Sequence, residues 1–106
     1  MASPNRRLSK ASQRVLSALY DAAPNQMYGM ELMDAASAPS GTLYPILARF
    51  RDRDWLEAEH ESIDSSEAGR PPRTYYRLTP DGLAVARNLA VSRGAVGVPS
   101  WGTGSR

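Results

Sequence analysis

Apolar side chains recur at helical spacing in the first third of the chain. Between residues 9 and 22, side chains such as Val15 and Leu19 fall on one face of a helix. Pro24 then interrupts the pattern, because proline disfavours helical geometry in the residue before it. A second, shorter helix is predicted for residues 28–36.

The strongest helical pattern follows in residues 37–53. Its apolar side chains occupy positions i, i+3, i+4 and i+7, and they are Leu43, Ile46, Leu47 and Phe50. We place the N-cap of this helix near Gly41 or Thr42. Pro45 would then lie near the third helical position, where its missing N–H costs no hydrogen bond.

The pattern changes from helical to alternating after the third helix. From Leu56 onward apolar residues are separated by acidic ones, which predicts a half-buried strand. Residues 73–78 are rich in aromatic side chains and predict a second strand. Residues 64–72 between them have loop composition, so the two strands should form a hairpin with a long tip. A last helix is predicted for about residues 79–93, with Thr79 as its N-cap.

This order of elements is typical of a winged helix-turn-helix. The predicted fold class is mainly α with a small β-hairpin (α+β), with a three-helix core, a two-stranded wing and a C-terminal helix. A chain of 106 residues has room for one domain. We expect the domain to cover residues 9–93, between a flexible N-terminal arm (1–8) and a flexible tail (94–106) rich in glycine and serine.

Composition limits the functions that remain. The absence of cysteine and the presence of a single histidine exclude disulfides and argue against a structural zinc site, and we expect no cofactor. The first residues carry no apolar stretch, so we expect no membrane anchor and a cytoplasmic location. The net charge is only +2, but residues 56–69 hold five acids and no base, whereas residues 70–106 hold six bases and one acid. One binding face could use such basic blocks.

Three sequence motifs resemble the PadR family. They are YGMELM at residues 28–33, GTLYPIL at residues 41–47 and GRPPRTYYRLTPDG at residues 69–82, and the likeness extends from about residue 15 to residue 89. The resemblance implies a DNA-binding transcriptional regulator without enzymatic activity. It further implies a repressor that binds a palindromic operator in double-stranded DNA as a homodimer.

The third helix is the expected recognition helix. The side away from its core residues carries small side chains, which allow the helix to approach base edges closely. The candidate contacts are Ser40, Gly41, Thr42, Tyr44, Pro45, Ala48 and Arg49. Arg49 is the candidate for specific base reading. Two alternatives are that Tyr44 packs on the hairpin and that Arg49 pairs with a nearby acid.

Two arginines beside consecutive prolines mark the predicted wing tip. In the family that this chain resembles, arginines matching Arg70 and Arg73 contact DNA; the alternative is a solvated turn without function. Weaker candidates for phosphate contacts are Lys10, Arg14, Tyr28 and Arg77. Arg77 could instead pair with Glu57 or Glu59 across the hairpin.

The acidic residues of the hairpin predict a solvated strand face. Strand alternation and loop composition bring no buried carboxylate pair together, so we expect neither a catalytic nor a metal site there. His60 is expected to be an exposed strand residue. Trp55 is expected to be a core residue or an anchor of the hairpin, with a ligand contact as the alternative.

The last helix carries more apolar surface than one small domain needs. The expected dimer interface consists of Leu83, Ala86, Leu89 and Ala90; the alternative is that this helix only closes the core of its own chain. Some PadR-like proteins stack aromatic effectors on a tryptophan of the final helix. This sequence has no tryptophan between residues 82 and 93, so a small aromatic effector is a weak expectation. The competing function is a winged-helix module that binds proteins, with weak or no DNA binding.

Overall fold

The computed structural model describes residues 8–93 as five helices and three short strands. In chain order they are α1 Lys10–Ala22, β1 Met27–Tyr28, α2 Gly29–Ala36, α3 Ser40–Asp52, β2 Leu56–His60, α4 Ser65–Ala68, β3 Thr74–Leu78 and α5 Pro80–Arg93. The predicted arm and tail lie outside these residues, except that Leu8 packs into the core. None of the described helices has the length and apolar character needed to span a membrane.

Helices α1, α2 and α3 enclose the core, and α5 packs against α1. The apolar faces predicted from the sequence are the buried ones. Among the fully buried side chains are Val15, Leu16, Leu19, Leu32, Leu43, Leu47 and Phe50. The ring of Trp55 packs against Phe50 with 5.5 Å between centroids, which confirms the anchoring role expected for this tryptophan.

Helix α3 begins earlier than the sequence predicted. Pro39 is its N-cap, and the Pro39 carbonyl accepts hydrogen bonds from the N–H groups of Thr42 and Leu43. Pro45 therefore lies at the sixth helical position and not near the third. Its ring removes one internal hydrogen bond, to the Gly41 carbonyl, at an exposed part of the helix. An N-cap needs no N–H of its own, so proline can fill that position.

The sheet has three strands, whereas a two-stranded wing was predicted. The order is β1-β3-β2, and β2 pairs with β3 antiparallel from Leu56 opposite Leu78 to His60 opposite Thr74. The third strand, β1, pairs with β3 through Tyr28 opposite Tyr75. Two residues are too few to show alternation, so the sequence carried no signal for this strand.

A short helix interrupts the predicted loop at the wing tip. Asp64 caps α4 by accepting hydrogen bonds from the N–H groups of Ser66 and Glu67. The helix ends at Gly69, whose φ of +73° is a conformation that favours glycine. The tip of the wing is thus a compact turn of helix and not an irregular loop.

Helix α5 begins as predicted, with Thr79 as N-cap and Pro80 as the first helical residue. The Gly82 N–H donates to the Thr79 hydroxyl at 3.0 Å. Gly82 lies against the Trp55 carbonyl so closely that a Cβ there would overlap it. The start of α5 is therefore locked onto the turn that follows α3.

The four residues expected at a dimer interface are not equally placed. Ala86 and Leu89 are each 2% exposed and belong to the core of the chain itself. Leu83 and Ala90 are half-buried beside them. Ala86 and Leu89 point inward because α5 packs against α1. An interface on this helix would therefore use Leu83, Ala90 and Val91, which is 58% exposed.

Candidate nucleic-acid interface

The outer face of α3 is open to solvent. All seven residues expected to contact DNA on this helix are exposed: Ser40, Gly41, Thr42, Tyr44, Pro45, Ala48 and Arg49. A Cβ built at Gly41 would meet no atom within 4 Å. The described residues of the chain leave this surface uncovered, and its side chains are mostly small.

Tyr44 connects α3 to the start of α2. Its phenol lies directly over Gly29, where a Cβ would overlap the hydroxyl oxygen. The ring remains 44% exposed and borders the wing. Glycine at position 29 thus allows Tyr44 to lie close to α2.

Glu61 organises the base of the wing tip. Its carboxylate accepts hydrogen bonds from Arg70 Nη1 at 2.7 Å and Arg70 Nη2 at 3.0 Å, and another from the backbone N–H of Arg73 at 3.0 Å. The Glu61 N–H in turn donates to the Arg73 carbonyl at 2.8 Å. The side-chain hydrogen bonds from Arg70, then the backbone hydrogen bond from Arg73, lower the pKa of Glu61 to about 2.

Arg73 lies on an aromatic cluster. Its guanidinium carbon is 4.1 Å from the centroid of the Tyr28 ring, within cation–π distance. The Tyr28 ring meets Tyr75 edge to face, with centroids 5.8 Å apart. Glu31 accepts from the Tyr28 N–H at 3.0 Å, so the N-terminus of α2 holds this tyrosine in place.

A groove separates α3 from the wing. It has a volume of about 360 Å³, and its walls come from β1, α2, α3 and the wing: Tyr28, Gly29, Met30, Tyr44, Arg70, Pro71, Pro72, Arg73, Thr74 and Tyr76. Met30 and Tyr44 are two of the three most exposed large apolar side chains among the described residues. Tyr44 of the open helix face and the two arginines of the wing therefore line one groove.

The weaker phosphate candidates occupy different environments. Arg14 Nε donates to the Ala36 carbonyl at 2.8 Å and so ties α1 to the end of α2. Arg77 pairs with Glu57 at 3.0 Å, which is the cross-strand alternative considered from the sequence. Lys10 is exposed at the first position of α1.

Sequence reasoning did not find the role of Glu61. It was grouped with the other hairpin acids as part of a solvated face, because only its position opposite residues 70–73 distinguishes it. His60 is exposed as expected, and its Nδ1 lies 2.8 Å from the Thr74 hydroxyl. Within residues 8–93 no group of three or more histidine or acidic side chains is arranged to hold a metal ion.

The family comparison matches most of the chain. Residues 15–88 match the model described as the transcriptional regulator PadR-like family. A comparison with curated proteins finds no match.

Solved structures of bacterial regulators are similar in fold. BpsR of Bordetella bronchiseptica, whose DNA binding is regulated by 6-hydroxynicotinic acid, has a TM-score of 0.70 at 22% identity, over 94% of this chain and 70% of that chain. A PadR-like transcription factor from Bacteroides fragilis has a TM-score of 0.62 at 24% identity, over 82% and 85% of the two chains. A PadR family regulator from Eggerthella lenta has a TM-score of 0.58 at 27% identity, over 82% and 73%.

Proposed function

Because the chain belongs to the PadR-like family of transcriptional regulators, we propose that it binds double-stranded DNA through α3 and the wing. The outer face of α3 would enter the major groove, where Arg49 would read base edges and the small residues around it would permit close approach. The wing, with Arg70 and Arg73, would contact the sugar–phosphate backbone beside that groove. This activity would be exercised in the cytoplasm.

One observation carries the proposal. Helix α3 is exposed along its whole predicted contact face, and Tyr44 on that face lines a groove together with Arg70 and Arg73. A duplex could therefore reach both elements at once. The acidic side chains of β2, such as Glu57 and Glu59, would limit nonspecific attraction to DNA and leave binding dependent on these contacts.

We further propose that two copies bind a palindromic operator and repress transcription. A dimer would place two recognition helices about one turn of DNA apart, as two-fold symmetric regulators require. Three apolar side chains of α5 that stay at least partly exposed would contribute to the contact between the two copies: Leu83, Ala90 and Val91.

The test is the salt dependence of duplex binding. Genomic fragments retained by the protein would supply the operator, and fluorescence anisotropy would then measure Kd between about 50 and 200 mM KCl. We expect log K to fall with log[KCl] at a slope of roughly −0.9 for each phosphate contacted. Little duplex affinity at any salt concentration would instead favour the protein-binding module.

Arg49→Ala tests the base-reading role. It should reduce the preference for the operator over a scrambled duplex, since one good base contact contributes about 1–3 kcal/mol of discrimination. Arg87→Ala on the exposed side of α5 removes the same charge and is the control, provided that it is compared at protein concentrations where both variants are dimeric, because Arg87 lies beside Leu83 and Ala90 on the same helix face. Equal effects of the two substitutions on this preference would show that only net charge matters.

A further inference from the structure

The structure points to unequal roles for the two wing arginines. We infer that Glu61 and Arg70 are positioning residues that hold the wing tip, and that Arg73 alone binds a backbone phosphate. This inference rests on the proposed DNA binding and refines it. From the sequence, both arginines were candidates for the same contact.

The Arg70 guanidinium already has hydrogen-bond partners within the chain. It forms two parallel hydrogen bonds with the Glu61 carboxylate, and its Nη1 also reaches the Pro71 carbonyl at 3.2 Å. Paired bonds of this kind hold a guanidinium in one orientation. Its side chain is 33% exposed, and that of Glu61 is 19% exposed. A phosphate would have to displace a carboxylate to gain these donors.

Glu61 joins both ends of the rigid Pro71–Pro72 segment. One carboxylate receives the Arg70 side chain before the prolines and the Arg73 backbone N–H after them. The backbone bond from the Glu61 N–H to the Arg73 carbonyl closes the same loop. The position of Arg73 is thus determined by two backbone hydrogen bonds to Glu61 and by the Arg70–Glu61 pair before the prolines, which lowers the entropy lost when the wing binds.

Arg73 keeps its guanidinium available. Within residues 8–93 no carboxylate lies within ion-pair distance of this group, although the charge of Glu61 acts on it from further away. Its cation–π contact with Tyr28 orients the guanidinium and leaves its N–H donors free of a carboxylate. Tyr44 of the recognition helix borders the same groove. A phosphate beside α3 would therefore meet Arg73.

The slope of the salt dependence distinguishes a contact from a positioning role, because it counts neutralised phosphates. We would titrate a labelled duplex of about three helical turns with wild type, Arg73→Ala, Arg70→Ala and Glu61→Gln. Arg73→Ala should reduce the slope by about 0.9 per subunit bound and weaken binding roughly tenfold at low salt. Arg70→Ala and Glu61→Gln should weaken binding by a smaller factor, similar at every salt concentration, with an unchanged slope.

Arg87→Ala, measured at concentrations where it is dimeric, is the control for loss of one positive charge, and thermal melts of each variant verify that it is folded. A slope reduced equally by Arg70→Ala and Arg73→Ala would overturn the inference. So would tighter binding with a steeper slope for Glu61→Gln, because Glu61 would then mask a DNA-contacting Arg70. Absence of duplex binding by the wild type would instead reject the proposed function itself.

Discussion

Replacing Thr79 with valine tests whether two hydrogen bonds hold α5 onto the rest of the domain. The Thr79 hydroxyl donates to the Asp54 carbonyl at 2.6 Å and accepts from the Gly82 N–H at 3.0 Å. The side chain is buried, with 7% exposed. Valine has nearly the same shape, so Thr79→Val removes both bonds while it preserves the packing.

The two lost bonds set the expected magnitude. Loss of an N-cap costs about 1 kcal/mol, and the Asp54 carbonyl that loses its donor costs about 1 kcal/mol more. We therefore expect Thr79→Val to lower the free energy of unfolding by roughly 2 kcal/mol. In a domain of this size such a change corresponds to a fall in Tm of about 8–16 °C.

Urea unfolding followed by circular dichroism, at one protein concentration, measures this difference. Thr79→Ser is the matched control, since it retains the hydroxyl and loses one methyl group, at a cost of roughly 1 kcal/mol or less. A Thr79→Val protein within about 0.5 kcal/mol of wild type would refute the reasoning. Equal losses for the serine and valine variants would assign the effect to packing.

Three further predictions concern the turn after α3, the wing and the groove. Asp54 has a φ of +63°, so Asp54→Gly should stabilise the fold by about 0.5 kcal/mol in urea unfolding, and Asp54→Ala should not. The lowered pKa of Glu61 means that its pairing stabilises the folded state above pH 4.5 and that this contribution disappears as the pH falls toward 2. The difference in Tm between wild type and Glu61→Gln should therefore shrink as the pH falls from 4.5 toward 2. A Tm difference that stays constant over this pH range would contradict the prediction. Gly29→Ala should push Tyr44 outward and weaken duplex binding. It should lower the free energy of unfolding by at most about 1 kcal/mol, because the Tyr44 ring can swing into solvent. Unchanged duplex affinity would argue against a role for Tyr44.

Most of the helical architecture could be predicted because it depends on periodicity. The residues Leu43, Ile46, Leu47 and Phe50 mark the buried side of α3 unambiguously, and Thr79 followed by Pro80 marks the start of α5. The start of α3 was misplaced because a proline at an N-cap and a second proline inside the helix both run against the usual signals. The strand β1 was missed because pairing with β3, and not local pattern, creates it.

The candidate site was only partly predictable for a similar reason. Exposure of the α3 contact face follows from the same helical periodicity that buries its opposite side. The pairing of Glu61 with Arg70 depends on how a loop of several residues closes, which local sequence does not determine. The inward orientation of Ala86 and Leu89 depends on the contact between α5 and α1, so the apolar surface available for a dimer was overestimated.

The ion pair between Glu61 and Arg70 closes the base of the wing and separates the residues between them from the rest of the domain. The segment between Glu61 and Arg70 is held to the domain mainly by the hydrogen bonds between these two side chains, and α4 has no buried residue. Lengthening such a loop costs little free energy, because the entropy of closure grows only slowly with length. The exposed helix α4 around Ser66 is therefore a natural place to attach a fluorescent label or an epitope without unfolding the domain.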